Sequence, residues 1–298
     1  MRGAEWAPVF AERMPDRPYR IRPEYGDPEE IRCLAAWQPP GNPPGLFPDL
    51  EILFSLGAGA DQFDLAPLPS GLPVVRMVER GVATTMVEYV ALAVLALHRD
   101  LPADLVQQHA ASWRQIRVRL ASERRVVILG LGRLAQAAPG ALGHLGFQRL
   151  AWSRTRRAVP GAVSWAGATA LAPFLARCDI LACLLPLTAE TRGMSDRHMF
   201  DGPPRGAGFV NVGRGGHLVA PGSVRGTRRR ATVGGRIGCR LSRAVADRTG
   251  DLAPPRILLM PHIASMTQPP AATEAVIAGL QQQRRGEPME GLVDRARG

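Results

Sequence analysis

Short apolar runs alternate with stretches of helical length along most of this chain. Residues 32–37, 50–56 and 74–78 are runs of strand length, and the first is closed by Gln38-Pro39-Pro40-Gly41. Pro28-Glu29-Glu30-Ile31 suits a helix start. Residues 84–101 predict a helix in which Thr85-Met86-Val87-Glu88 forms a capping box, with Thr85 as N-cap and Glu88 at N3. Its body, residues 89–97, is apolar on every face and so needs cover on every face, from the core or partly from a second subunit. Strands follow at 125–129, 147–152, 179–185, 208–212 and 256–260, with a helix-like stretch from 132 to 146. Strands alternating with helices predict a parallel α/β sheet.

Length and composition bound the reading. The 298 residues, 46% of them hydrophobic, allow two domains or one large one. No apolar run reaches the ~18–20 residues of a membrane span. The opening Met1-Arg2-Gly3-Ala4-Glu5-Trp6 lacks a signal-peptide core. A cytoplasmic protein without a membrane partner is expected. Cys33, Cys178, Cys183 and Cys239 are scattered and read as free thiols, with no metal site.

The net charge of +11 raises the question of nucleic acid. Its distribution argues against that partner. Residues 220–256 hold nine arginines against two aspartates, and they contain no Phe, Trp or Tyr to stack on bases. The chain has no lysine, although lysine serves well as a point charge on phosphate.

Candidate chemistry begins after the fourth run. Gly130-Leu131-Gly132-Arg133-Leu134-Ala135 is a G-x-G-x-x-A turn between a strand and a helix-like stretch, the pattern of dinucleotide binding. Gly130 permits the tight turn, Gly132 admits a pyrophosphate, and the helix N-terminus is expected to face its charge. The next strand ends in Ser153-Arg154-Thr155-Arg156-Arg157. An acid there would bind the ribose 2′-OH of NAD. Guanidiniums fit a 2′-phosphate, which favours NADP(H), with NAD(H) as the alternative. Arg157 reads as a solvated charge. Two later strands end in Asn211-Val212-Gly213-Arg214-Gly215 and Pro261-His262-Ile263-Ala264. Ligands bind outside the C-terminal ends of such strands.

Together with Leu56-Gly57-Ala58-Gly59-Ala60-Asp61, Val87-Glu88-Tyr89-Val90 and the tail Val293-Asp294-Arg295-Ala296-Arg297-Gly298, these motifs resemble the D-isomer-specific 2-hydroxyacid dehydrogenases, in their glyoxylate/hydroxypyruvate reductase branch. The resemblance implies two Rossmann-like or flavodoxin-like domains with parallel sheets. A discontinuous substrate domain would span 1–95 and 266–298, and an NAD(P)-binding domain 96–265. It implies a homodimer and NADPH-dependent reduction of glyoxylate or hydroxypyruvate, a 2-keto acid, to the 2-hydroxy acid. Arg214 would hold the keto acid and His262 would donate the proton. Main-chain N–H groups at Gly57, Ala58 and Gly59 would cradle the carboxylate. Trp37 would line the pocket, or else be a core aromatic. The cofactor would lie against Gly130, Leu131, Gly132, Arg133, Leu134, Ser153, Arg154, Arg156, Leu185, Pro186, Thr188, Val212, Gly213, Arg214 and His262.

Three departures from the family pattern stand out. The glutamate expected to hydrogen-bond the histidine falls on Arg243, the expected aspartate falls on Gly238, and no Glu occurs anywhere in 220–256. A slipped coding frame between about 219 and 257 would account for this. A histidine without its carboxylate is less protonated at neutral pH, so reduced activity is expected, with a catalytically inactive dinucleotide-binding relative as the alternative. Pro139 falls inside the predicted helix, which it should bend or break. Lastly, Trp6-Ala7-Pro8-Val9-Phe10 already looks like the first helix, so the family's first strand is missing, as after a late start codon. That loss is expected to leave a gap in the middle of a 2-1-3-4-5 sheet.

Overall fold

The computed structural model describes residues 3–218, 260 and 262–295. The expectations for 220–256, Arg243, Gly238 and Cys239, and most of the strand at 256–260, lie outside the described residues. The described elements run α1 (Gly3–Arg13), β1 (Cys33–Ala36), α2 (Pro43–Leu46), β2 (Ile52–Ser55), β3 (Val74–Arg76), α3 (Arg80–His98), α4 (Leu101–His109), β4 (Arg125–Leu129), α5 (Ala138–His144), β5 (Gln148–Ser153), β6 (Val163–Ala166), α6 (Leu171–Leu175), β7 (Ile180–Cys183), α7 (Arg197–Asp201), β8 (Gly208–Asn211) and α8 (Pro269–Arg284). They divide into two compact units, Met1–Val82 with Met266–Gly298, and Ala83–Ser265.

The first unit holds a parallel sheet of order β1-β2-β3. Successive β2 side chains point to opposite faces. Ile52 and Phe54 meet Trp6, Phe10 and Met14 of the α1 stripe and Val276, Ile277 and Leu280 of α8. Leu53 turns the other way, towards Phe63, Leu68, Leu72 and Val74. The fours in Trp6–Phe10–Met14 are the helical period that makes α1 amphipathic. The expected gap does not open. The three strands pair in consecutive order, and among the described residues the sheet ends at β1. The helix start at Pro28 is a single 3₁₀ turn, Pro28–Glu30, with the Asp27 carboxylate accepting the Glu29 N–H at 3.0 Å.

The second unit is a five-stranded parallel sheet of order β6-β5-β4-β7-β8. Numbered by appearance, this is 3-2-1-4-5, the arrangement of a mononucleotide-binding half. One face packs Val126, Ile128, Ile180, Ala182 and Val210 against α3 and α5. The other packs Val127, Leu129, Leu181 and Phe209 against Trp152, Phe174 and Leu175. Cys178 and Cys183 lie in that second core as free thiols. Burial pushes the Cys183 thiol up to about 11.

Tertiary contacts move two predicted helix boundaries. α3 begins at Arg80, so Thr85 lies within it and is not its N-cap. The Thr85 hydroxyl instead meets Ser265 Oγ at 3.0 Å, which supplies the polar partner that a cap would have. By length and composition alone α3 is long and apolar enough to cross a membrane, contrary to the sequence expectation, yet half of that window is buried inside the protein. Leu92 on its outer side is 51% exposed in the single chain. α5 is shorter than predicted. Pro139 sits in its first turn, where a missing N–H costs nothing, and residues 133–137 form turns instead of helix. The edge strand β6 went unpredicted, because Gly161 and Gly167 flank a run of only four residues.

His98 closes α3. It is 7% exposed, with its ring edge-on to Phe147 at 5.0 Å. Burial first, then Arg124 and Arg99, hold its pKa below the usual histidine value, with Asp100 opposing. The folded state therefore refuses a proton that the unfolded chain accepts, so stability is lost as pH falls below the unfolded value of ~6.5. Between pH 7 and pH 5 the melting midpoint should drop further in the parent than in a His98→Gln variant. Parallel melting curves across that range test this.

Candidate active site

β4 lies at the centre of the second sheet, and strand order reverses between β4 and β7. Ligands of open α/β sheets bind at such a reversal. The glycine turn sits there. Gly130 has φ +96°, and a Cβ on it would lie 3.1 Å from the Leu184 carbonyl, so a side chain there would be strained by the backbone and crowded as well. A Cβ on Gly132 would meet no protein atom within 4 Å. That open cradle fits a dinucleotide diphosphate approaching the main chain. Leu131 and Ala135 are buried, Leu134 is half-buried and Arg133 is exposed. The expectation of a helix N-terminus at Gly132 is corrected. The turn is closed by the Ala135 N–H on the Gly132 carbonyl at 2.9 Å, and the helix starts only at Ala138.

At the end of β5, the buried Ser153 hydroxyl donates to the Thr155 carbonyl at 2.7 Å, which bends the chain and leaves Arg154 and Arg156 exposed. Arg157 is exposed too, as expected of a solvated charge. Its guanidinium donates to the Leu131 carbonyl at 3.2 Å and so ties this arginine-rich bend to the glycine turn. The Glu190 carboxyl is held below the usual range, chiefly by the Thr188 hydroxyl hydrogen bond and least by Arg154.

β8 delivers Arg214 on a tightly bonded turn. Asn211 is 1% exposed, and its carboxamide accepts the Gly213 N–H at 3.1 Å and donates to the Arg214 carbonyl at 3.1 Å. The half-buried Arg214 side chain donates to the Gly213 carbonyl at 3.2 Å. Val212 is buried below it. The turn ends in Gly215–His217, where the His217 imidazole, 0% exposed, bridges Arg214 to Pro186. Leu185, Pro186 and Thr188 begin the loop after β7, and the Thr191 hydroxyl closes it by donating to the Pro186 carbonyl at 2.6 Å. Sequence reading missed Asn211 and His217 as organisers. Polar residues on either side of Arg214, within a strand-end motif, were the available signal.

His262 is half-buried at φ +58°. A non-glycine residue in that region is uncommon, and such backbone strain concentrates at functional sites. Its N–H donates to the Met260 carbonyl at 2.9 Å. Met260 and Ala264 on either side pack into the cluster that contains Val210 and Val212. The strand bearing Arg214 and the segment bearing His262 are thus anchored in one core.

Within the first unit, the turn at 57–59 is built by Ser55, a residue absent from the sequence reading. This buried hydroxyl donates to the Gly59 carbonyl at 2.6 Å and receives Gln62 Nε2 at 2.7 Å and the Gly57 N–H at 3.2 Å. The Gly57 N–H is therefore engaged internally, and the expected cradle reduces to Ala58 and Gly59. Arg76 adds a bond to the Ala58 carbonyl at 3.3 Å. Trp37 is 39% exposed, which removes the core-aromatic reading. Its ring lies on Gly57, where a Cβ would come within 2.6 Å of it.

The second unit has the form of a dinucleotide-binding α/β domain. Residues 91–224 match the family model described as "D-isomer specific 2-hydroxyacid dehydrogenase, NAD binding domain". A D-isomer specific 2-hydroxyacid dehydrogenase from Xanthobacter autotrophicus Py2, solved with NADPH and MES, is 31% identical with a TM-score of 0.89, over 98% of this chain and 94% of that one. An NADPH-dependent glyoxylate/hydroxypyruvate reductase from Sinorhizobium meliloti, solved with NADP and sulfate, is 28% identical with a TM-score of 0.88, over 99% and 96% of the two chains. Glyoxylate/hydroxypyruvate reductase A from Yersinia enterocolitica is 28% identical over 99% of this chain and 96% of that protein. The chain belongs to the D-isomer specific 2-hydroxyacid dehydrogenase family, on the glyoxylate/hydroxypyruvate reductase side of it.

Proposed function

We propose that this protein reduces glyoxylate or hydroxypyruvate to the 2-hydroxy acid with NADPH. The observation that carries the reading is the pairing, within one unit, of the open Gly130–Gly132 turn with strand-end Arg214 and strained His262. Bound NADPH would supply the hydride. Gly130 to Leu134 would take its diphosphate, and Arg154 and Arg156, with the Ser153 bend, its 2′-phosphate. Pro186, Thr188, Val212 and Gly213 would border the nicotinamide end. Arg214 would grip the keto-acid carboxylate and stabilise negative charge growing on the carbonyl oxygen. His262 would hand that oxygen a proton. In the first unit, Ala58 and Gly59 N–H groups would hold a substrate carboxylate beside Trp37. That unit is read as the substrate domain, and Leu92 on α3 as part of a homodimer contact.

Position 243 favours a second reading. The sequence has arginine where the family pattern has glutamate, and on this second reading turnover is slow and at the limit the chain binds NADPH without reducing anything. Oxidation of NADPH with glyoxylate, followed at 340 nm and repeated with NADH, separates the two. The reductase reading expects oxidation with NADPH preferred at least tenfold, and Arg154→Ser with Arg156→Ser should erase the preference. Tight NADPH binding with no oxidation selects the inactive relative, and no binding removes both.

A further inference from the structure

His217 is a fully buried imidazole that the proposed mechanism does not use, and both its ring nitrogens are committed. Nδ1 lies 3.0 Å from the Arg214 main-chain N and 3.0 Å from the Arg214 carbonyl. Nε2 lies 3.1 Å from the Pro186 carbonyl. A carbonyl only accepts, so Nε2 carries the proton. In the neutral ring Nδ1 is then an acceptor, and it takes the Arg214 N–H. The Arg214 carbonyl is served by Asn211, whose carboxamide N donates to it at 3.1 Å. One tautomer therefore satisfies every group in the cluster. The chain around the ring is pinned as well. The His217 carbonyl accepts the Ser195 N–H at 2.7 Å, and Ser195 pairs with Leu218 in a parallel bridge.

The two ends of this bridge carry different work. Arg214 is the residue proposed to grip substrate, and Pro186 opens the loop proposed to border the cofactor. Resting on that reading, we infer that His217 is a positioning residue with two separable roles. Its Nδ1 sets the Arg214 main chain for substrate, and its Nε2–H holds the Pro186 loop for the dinucleotide.

Amide isosteres separate the two roles. In His217→Asn the carboxamide occupies the place of Nδ1, so an acceptor for the Arg214 N–H remains and the reach to Pro186 is lost. In His217→Gln an amide N occupies the place of Nε2, so the Pro186 bond remains and the Arg214 N–H loses its acceptor. KM for NADPH should rise about tenfold in the Asn variant while KM for glyoxylate stays within twofold. The Gln variant should show the reverse, and His217→Leu should raise both. A role confined to stability would move both constants together, in step with the melting midpoint. Equal shifts in the Asn and Gln variants, or none in either, would overturn the assignment. If the parent protein reduces no keto acid, the reductase reading fails by itself. The bridge is then judged by NADPH fluorescence titration, where the Gln variant should bind like the parent and the Asn variant about tenfold more weakly. Equal affinities in the two variants would again overturn it.

Discussion

Arg214→Met is expected to lower kcat/KM for glyoxylate by roughly 10³-fold while NADPH affinity changes only a few-fold. The guanidinium is asked to do two things at once. It pairs bidentately with a carboxylate, and it stabilises an oxyanion as charge develops, and loss of a single such donor costs about 10²–10³ in kcat. The turn itself should survive the substitution. Its main chain is held by Asn211 and His217, through bonds that do not involve the Arg214 guanidinium. Arg214→Lys should recover only part of the loss, because an ammonium cannot reproduce the planar fork. Steady-state kinetics of the three proteins, with melting curves as a folding control, decide the matter. Parent-like kcat/KM in the Met variant would remove Arg214 from the site.

The second large effect is expected at His262. Asn is the informative replacement, because it tolerates the left-handed region at least as well as histidine does, and φ at this position is +58°. The substitution therefore removes a proton donor with little added backbone strain. General acid catalysis contributes typically 10²–10⁴-fold. The low end, about 10²-fold in kcat, is expected here. Groups that act as a unit are not additive, and the sequence position at which the family pattern has glutamate is Arg243. The pH profile carries the stricter test. If the imidazolium donates the proton, reduction by the parent falls up to tenfold per pH unit on an alkaline limb. His262→Asn should be slower and lack that limb. An unchanged limb in the variant would assign the proton to another group.

The strands were the most legible part of the chain. β4, β5, β7 and β8 lie within one or two residues of the predicted runs, because a strand buried on both faces is a short unbroken apolar word. The glycine turn was legible for a related reason. Only glycine accepts φ +96° beside the Leu184 carbonyl, so the backbone requirement is written directly in residue type. The start of α3 was not legible. Thr85 and Glu88 carry a cap signature, yet Ser265, 180 positions away, took the hydroxyl. Ser55 and His217 were missed because a hydroxyl or imidazole gains its meaning from carbonyls brought to it by folding. Arg157 is exposed as expected, but its bond to the Leu131 carbonyl was not legible, because that partner lies 26 positions earlier.

Local pattern alone therefore determined the parallel α/β class, the glycine turn after β4 and the choice of Arg214 and His262 as candidate residues. Each is encoded in contiguous residues through period, steric allowance or side-chain chemistry. Tertiary structure decided how those residues are held: the His217 bridge to Pro186, the Ser55 turn, the late start of α5 and the strained backbone at His262. These depend on hydrogen bonds and packing between distant segments, and no local spacing specifies which carbonyl a buried donor will meet.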